Sequence, residues 1–185
     1  MSTSAIKVEQ SERAYTLSRK ALRRVIPVLR DLISDTTDLQ THVEDARSNV
    51  PESERRIRSL FEGLNSELAA CSSLLNERLR MLPSTLHLPE RFRTDSNTFW
   101  RLYPGDELDC RENLELLLAG YSHYARKIYE SVRTLECIGD TESVELVSRL
   151  IGAAEKGLCF IELYLEGFAL HMDGERMPAW PSADI

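Results

Sequence analysis

The fold is decided by a stretch near the C-terminus, Gly139-Asp-Thr-Glu-Ser-Val-Glu-Leu-Val-Ser-Arg-Leu-Ile-Gly-Ala-Ala-Glu-Lys-Gly-Leu-Cys-Phe-Ile-Glu-Leu-Tyr-Leu-Glu-Gly167. Its apolar residues recur at intervals of three and four, which is the spacing of one face of an α-helix. They are Leu146, Val147, Leu150, Ile151, Ala154, Leu158, Ile161 and Leu165. The pattern predicts a helix from Thr141 to about Leu165, and Gly139-Asp140 suits the tight turn that ends a preceding helix.

Working outward, the same periodicity predicts a first helix from about Ser11 to Asn49. Its apolar face comprises Leu22, Val25, Ile26, Leu29, Leu32, Ile33, Thr36, Leu39 and Val43. Pro27 falls inside this pattern, and proline in a helix interior removes a backbone hydrogen bond and clashes with the preceding turn. We therefore expect a break or kink near Ile26, with a separate short helix before it.

Two more helices are predicted, and a long connection separates them. The second helix starts near Pro51, with Asn49 as a candidate cap, and ends before Pro83; the third runs from about Cys110 to Ile138. Residues 83 to 109 are rich in proline and show no sustained period beyond one short helical turn around Thr94–Arg101. A connection of this length is typical of a crossover that travels the length of a bundle. The sequence thus predicts an all-α, ferritin-like four-helix bundle with a crossover between its second and third helices.

Composition limits the partners of this single domain of 185 residues, whose net charge is −7. The whole chain is too acidic to be a ready polyanion binder. The N-terminal segment is the exception, because it carries Lys7, Arg13, Arg19, Lys20, Arg23, Arg24 and Arg30. Two interpretations stay open for Arg19, Lys20, Arg23 and Arg24: a solvated helix face, or a weak nucleic-acid contact that needs many copies displayed together.

The cysteines and the absence of other motifs exclude several classes of protein. Four cysteines show no Cys-x-x-Cys or zinc-like spacing, and Cys71, Cys137 and Cys159 lie among apolar residues, which predicts reduced core thiols. The sequence has no glycine-rich phosphate loop, nucleophile elbow or zinc signature. It also has no signal peptide and no long apolar run, so we expect a bacterial cytoplasmic protein without a membrane partner.

Several short stretches resemble the Dps mini-ferritins over residues 26–167. They are Pro27-Val-Leu-Arg-Asp-Leu-Ile-Ser-Asp-Thr-Thr-Asp-Leu39, Leu102-Tyr-Pro104, Asp109-Cys-Arg-Glu112, Glu142-Ser-Val-Glu145 and Glu155-Lys-Gly-Leu-Cys-Phe-Ile-Glu162. The resemblance divides the chain into a basic, partly helical arm (residues 1–25), a Dps-like domain (26–167) and an irregular tail (168–185). It implies homo-oligomers built from two-fold dimers, with the dodecamer as the family's shell. It also implies ferrous iron as the substrate of a ferroxidase site shared at the dimer interface, and in some members DNA bound through basic tails.

The residues that would hold iron are mostly replaced. The stretch Ala46-Arg-Ser-Asn-Val50 resembles the end of the family's first helix, and it carries Arg47 where the family has a ligand histidine. On the second helix the ligand positions become Arg58, Glu62, Ser73 and Glu77. Only Glu62 and Glu77 remain as oxygen donors, and carboxylates beside guanidinium groups make a poor site for a divalent cation.

Two interpretations of this degraded site stay open. Arg58 and Glu62 stand four residues apart, which allows an ion pair on one helix, and Arg47 and Arg58 could meet Glu77 of a second copy. The alternative is a solvated cluster of charges. The resemblance therefore implies iron sequestration and protection against oxidative stress with most ferroxidase ligands missing, or else a non-enzymatic shell, scaffold or DNA-protecting protein.

A third feature, the acidic run Asp140, Glu142 and Glu145, also has two interpretations. The run resembles the acidic lining of the family's iron-entry pores. Acidic side chains at the start of a helix are also simply favourable, because they offset the positive end of the helix dipole. We favour this capping role, and the two roles are compatible.

Overall fold

Four helices form a single bundle in the computed structural model, which describes residues 17–83 and 108–170, with no side-chain detail for 168–170. They are α1 (Arg19–Ser48), α2 (Arg55–Met81), α3 (Cys110–Ile138) and α4 (Thr141–Leu170). α1 packs against α2 and α3, and α4 packs against α3 and α2. Two helical hairpins therefore lie side by side, and the predicted four-helix bundle is confirmed.

The core consists of one apolar face from each of the four helices. Leu29, Leu60, Leu114 and Val147, one from each helix, are fully buried. Gly157 on α4 allows a close approach between helices, because a Cβ atom there would lie 2.4 Å from Cε1 of Tyr121 on α3. Interiors are close-packed, so this glycine sets the distance between α3 and α4 at that level.

The predicted break near Ile26, with a separate short helix before it, is wrong, because α1 runs continuously from Arg19 to Ser48 with Pro27 inside it. The alternative, a kink near Ile26, stays a prediction. Pro27 lies opposite the core-facing residues Val25 and Leu29. The carbonyl that loses its hydrogen bond belongs to Arg23, which is exposed, so water can satisfy that group. Burial of the apolar side chains on both sides of the proline offsets the remaining cost.

The helix ends differ from prediction between α1 and α2 and agree with it between α3 and α4. Asn49 ends α1 as its C-cap, and α2 begins later than predicted, after Glu54, whose side chain makes no capping hydrogen bond. Gly139 ends α3 with φ of 83°, and its N–H donates to the carbonyls of Leu135 and Glu136, both at 3.0 Å. This left-handed turn is the role predicted for the glycine.

Several predictions fall on residues outside the described ranges. These are the short turn at Thr94–Arg101, most of the crossover, the first part of the basic arm and the C-terminal tail beyond Leu170. Among residues 17–83 and 108–170, no helix is apolar over a length that would span a bilayer.

The cysteine prediction is correct for Cys71 and wrong for the other two. Cys71 is buried, whereas Cys137 and Cys159 are exposed. Burial raises the pKa of the Cys71 thiol to about 11, which keeps it protonated. Each of the two exposed cysteines lies next to apolar residues in the chain but points away from the core, which shows that apolar neighbours alone did not define the buried face.

Candidate functional site

The last turn of α1 carries an arginine that is held by a carboxylate on its own helix. Arg47 donates two hydrogen bonds to Glu44, from Nη2 to Oε1 at 2.5 Å and from Nε to Oε2 at 3.1 Å. The planar guanidinium group matches the two carboxylate oxygens in this bidentate arrangement. The hydrogen bond from Arg47 lowers the pKa of Glu44, and the same bond raises the pKa of Arg47.

This arginine also links α1 to α2. Its Nη1 lies 4.0 Å from Oε1 of Glu62, and Nδ2 of Asn65 donates to Oε2 of Glu44 at 3.3 Å. We call Glu44, Arg47, Glu62 and Asn65 the α1–α2 ion cluster. Both acids are partly solvated, with side-chain exposures of 46% for Glu44 and 63% for Glu62, so the cluster lies at the surface of the bundle.

The predicted ion pair between Arg58 and Glu62 is not formed. Within the described residues, the cation that reaches Glu62 is Arg47 on the neighbouring helix. Arg58 is half-buried on α2, one turn before Glu62. Arg47 and Arg58, the two positions at which the resemblance predicts histidines, thus occupy the same end of the α1–α2 face, with Glu62 nearer to Arg47.

The other two positions that the resemblance predicts as ligands lie far from this cluster in one chain. Ser73 and Glu77 are both exposed on α2, and Ser73 donates to the carbonyl of Ala69 at 2.9 Å. Glu77 follows Glu62 by four turns of helix, about 22 Å at 1.5 Å per residue. A single chain therefore presents two separate halves of the surface at which the family resemblance predicts a shared site.

The described residues do not fit a metal centre within one chain. No three side chains among His, Cys, Asp and Glu in residues 17–83 and 108–170 are grouped so as to hold a metal ion. His42 lines a cavity of about 350 Å³ with Asp45, Asn113 and Leu116, on the side of α1 that faces α3. Burial lowers the pKa of His42. His42 is thus on a different face from Arg47, while His87 and His171 lie outside the described residues.

A second arginine cluster, which sequence reasoning missed, joins α2 to the start of α4. Arg78 is 8% exposed, and its Nη2 donates to Oδ1 of Asp140 at 2.8 Å. Its Nε donates to Oγ of Ser143 at 2.9 Å, and its Nη1 also contacts the carboxylate of Glu142. We call Arg78, Asp140, Glu142 and Ser143 the α2–α4 ion cluster.

The sequence did contain a signal for this cluster. Arg78 continues the core-facing spacing of Leu68, Cys71 and Leu75 on α2, at intervals of three and four. An arginine on an apolar face needs a buried acid as a partner, because an unpaired charge is costly to desolvate. The position of Arg78 could therefore have indicated a buried carboxylate partner, although it would not have identified Asp140.

The three acidic residues at the start of α4 have different surroundings. Asp140 is 3% exposed, and its Oδ1 also accepts the N–H of Ser143 at 3.3 Å, which is the geometry of a helix N-cap. Glu142 is partly exposed and engaged with Arg78, while Glu145 is exposed. Capping by Asp140 is therefore present in this chain, and only Glu145 faces solvent without restraint from Arg78.

The basic residues of the first two turns of α1 are solvated. Arg19, Lys20, Arg23 and Arg24 are all exposed, and Ser18 caps the helix by accepting the N–H of Ala21 at 3.1 Å. Lys7 and Arg13 lie outside the described residues.

Comparisons with known proteins support the fold. No family model matches this chain, and no curated protein matches it. Among solved structures, the X-ray structure of Dps from Thermosynechococcus elongatus is similar, with a TM-score of 0.63 and 17% sequence identity. The match covers 79% of this chain and 92% of the Dps chain. At this identity the likeness concerns the backbone, and the chain therefore has a ferritin-like four-helix fold.

Proposed function

We propose that this chain is a subunit of a non-enzymatic, ferritin-like assembly in which arginine ion pairs replace an iron-oxidation centre. The α1–α2 ion cluster is the observation that supports the proposal. Arg47 is bonded to Glu44 and lies 4.0 Å from Glu62, so the local carboxylates are already near a fixed positive charge. A ferrous ion would have to displace that charge or bind beside it, and electrostatic repulsion opposes both.

The partner in this assembly is a second copy of the chain. Arg58 is half-buried and Glu77 is exposed, and they lie at the two halves of the same α2 surface. A two-fold axis places the first half of one copy opposite the second half of the other, because a symmetric interface uses the same surface twice. In this arrangement Arg58 meets Glu77 of the second copy, and each such pair occurs twice.

A charge-swap experiment tests this interface. Glu77→Arg places like charges opposite one another and should shift the sedimentation profile toward monomer. Arg58→Glu combined with Glu77→Arg should restore the oligomer, and Arg80→Glu, an exposed change near the end of the same helix, should leave it unchanged. The same measurement gives the number of copies, for which the family resemblance predicts twelve. A double variant that is no more associated than Glu77→Arg alone would contradict the proposed pairing.

A second candidate function is the sequestration of ferrous iron, and the exposure of Glu62 and Glu77 favours it. Carboxylates brought together across an interface could bind iron even without histidines. The decisive assay is ferrous oxidation with peroxide or oxygen at a few iron atoms per subunit. A rate equal to the protein-free blank supports the non-enzymatic assembly, whereas a rate well above it, with iron co-eluting with the oligomer, supports sequestration.

A further inference from the structure

The outward side of α1 changes sign halfway along the helix. Its first half carries five exposed cations, Arg19, Lys20, Arg23, Arg24 and Arg30. Besides Glu44, its second half carries four acids, of which Asp31, Asp35 and Asp38 are half-buried and Asp45 is exposed. The first half has no acid and the second half has a single cation, Arg47, whose hydrogen bonds go to Glu44.

Both halves belong to one continuous surface. At 100° per residue, the cations and the four acids fall within an arc of about 160° around the helix axis. The opposite side of the helix is the one that enters the core, through Val25, Leu29 and Leu39. We call these nine charged residues the bipolar face of α1, and it extends about 39 Å along the helix at 1.5 Å per residue.

We infer that the bipolar face of α1 docks onto the bipolar face of a second copy of this chain, with the two helices antiparallel. An antiparallel pair sets the basic half of each helix against the acidic half of the other. A two-fold axis between Arg30 and Asp31 places Arg23 opposite Asp38 of the second copy. Each contact then occurs twice, and charge complementarity fixes both the partner and the direction.

The alternatives fit the face less well. Two parallel copies would set cations against cations and acids against acids, which is repulsive along the whole contact. A nucleic acid lying along α1 would gain from the basic half but meet four carboxylates from Asp31 onward. Within the described residues, Lys127 on α3 lies near Asp35 and lowers the pKa of that carboxyl, which places α3 beside the acidic half.

The half-buried acids also make this face suited to docking. Asp35 and Asp38 are half-buried, so binding them costs less side-chain entropy than binding fully exposed carboxylates. The face is separate from the α1–α2 ion cluster, since Arg47 points from α1 toward Glu62 on α2. One copy can therefore use both surfaces at once.

A cross-linking experiment on the full chain tests the antiparallel contact independently of the α2 interface. Cys110, Cys137 and Cys159 are changed to serine, and Arg23→Cys and Asp38→Cys are introduced in separate chains. A mixture of the two chains, oxidised with glutathione disulfide, should give at least about tenfold more covalent dimer than either chain alone. In the antiparallel pair, two copies of residue 23 lie about 22 Å apart along the helix axis, which is beyond the reach of a disulfide. Arg23→Cys alone should therefore give little covalent dimer. Equal dimer yields from the mixture and from Arg23→Cys alone would overturn the proposal.

Charge reversal gives a second measurement that needs no added cysteine. Arg23→Glu and Asp38→Lys should each weaken self-association in low salt. A mixture of the two variants should regain it, because each mixed dimer has one contact with both charges reversed and one native contact between Arg23 and Asp38. Arg133→Glu, an exposed reversal on α3, is the matched control and should match the parent. If Arg23→Glu leaves self-association unchanged and abolishes retention of a short DNA duplex, the basic half is a nucleic-acid contact and the inference is wrong.

Discussion

Two arginines, Arg78 and Arg47, each link α2 to another helix, but they do so in different environments. The side chains of Arg78 and Asp140 are 9% and 3% exposed, whereas those of Arg47 and Glu62 are 28% and 63% exposed. Oδ2 of Asp140 is buried and has no hydrogen-bond partner among the described residues, so that carboxylate depends heavily on Arg78. The two acids near Arg47, Glu44 and Glu62, are both accessible to water, so neither depends on Arg47 alone.

The difference separates two uses of the same chemistry. In the α2–α4 ion cluster each charge needs its partner, because removal of one charge leaves the other desolvated. In the α1–α2 ion cluster the charges are solvated, so the pairs contribute little to folding and remain available to another chain. We therefore assign the first cluster to the stability of the fold and the second to its surface properties.

The largest effect is expected for Arg78→Ala. The change leaves Asp140 buried without its cation and should destabilise the protein by about 3–5 kcal/mol. The free energy of unfolding, measured by urea denaturation, checks this, with Arg80→Ala as the control because Arg80 is exposed on the same turn. A loss below about 1 kcal/mol for Arg78→Ala would erase the contrast between the two clusters.

A smaller loss of stability is expected for Thr36→Val, which removes a buried hydrogen bond between uncharged groups. It therefore tests the effect of burial without that of charge. Oγ1 of Thr36 lies 2.8 Å from the hydroxyl of Tyr124, and both residues are buried. Valine keeps the volume but leaves the Tyr124 hydroxyl without its partner, at a cost of about 1–3 kcal/mol. Thr37→Val is the control, because Thr37 is exposed and its hydroxyl bonds only to its own helix, to the carbonyl of Ile33 at 2.8 Å.

A gain of stability is expected for Asp35→Asn, and it depends on pH. Burial raises the pKa of Asp35 from 3.8 to about 6, while Lys127 opposes the shift. The folded state therefore holds this proton more tightly than the unfolded state, so stability falls as the pH rises from about 4 to about 6.

After a discount for the solvent-accessible part of the side chain, the penalty above that range is about 1–2 kcal/mol. Asp35→Asn should remove it, so the variant should exceed the parent in urea denaturation at neutral pH and match it near pH 4. Asp45→Asn, which is exposed, is the control. A variant advantage that is equal at both pH values would contradict the assignment.

The smallest effect on folding is expected for Arg47→Ala. Its ion pairs are solvated, so the denaturation midpoint should stay close to that of the parent. The pKa of Glu44, followed by NMR, should rise toward its ordinary value, because the hydrogen bond that lowers it is gone. A large drop in the midpoint would place Arg47 in the same class as Arg78.

The sequence predicted the helices well because burial follows a period that is visible in the order of residues. Most of the predicted apolar face of α1 and the turn at Gly139 are local features, and both are confirmed. The similarity to a solved Dps structure confirms the predicted fold but not the predicted iron chemistry. The positions of Arg58, Glu62, Ser73 and Glu77 as a shared site stay a prediction, because such a site needs a second copy.

The errors have two physical causes. Pro27 and the exposed cysteines were misjudged because local rules do not say which side of a helix faces water. The α2–α4 ion cluster was missed because Arg78 and Asp140 are 62 residues apart in the chain, and only tertiary packing brings them together. In the sequence, each position of such a long-range pair shows a charged residue but does not show which residue is its partner.

The turn at Gly139 also has a consequence for the order of folding. It joins α3 to α4 through two residues, so that hairpin can close with little loss of chain entropy. The contacts of Arg78 with Asp140, Glu142 and Ser143 join residues that are 62 to 65 positions apart in the chain, so the loop that they close is much longer and closes more slowly. We expect the α3–α4 hairpin to form in the transition state, with the α2–α4 ion cluster completed afterwards, so that Arg78→Ala accelerates unfolding more than it slows refolding.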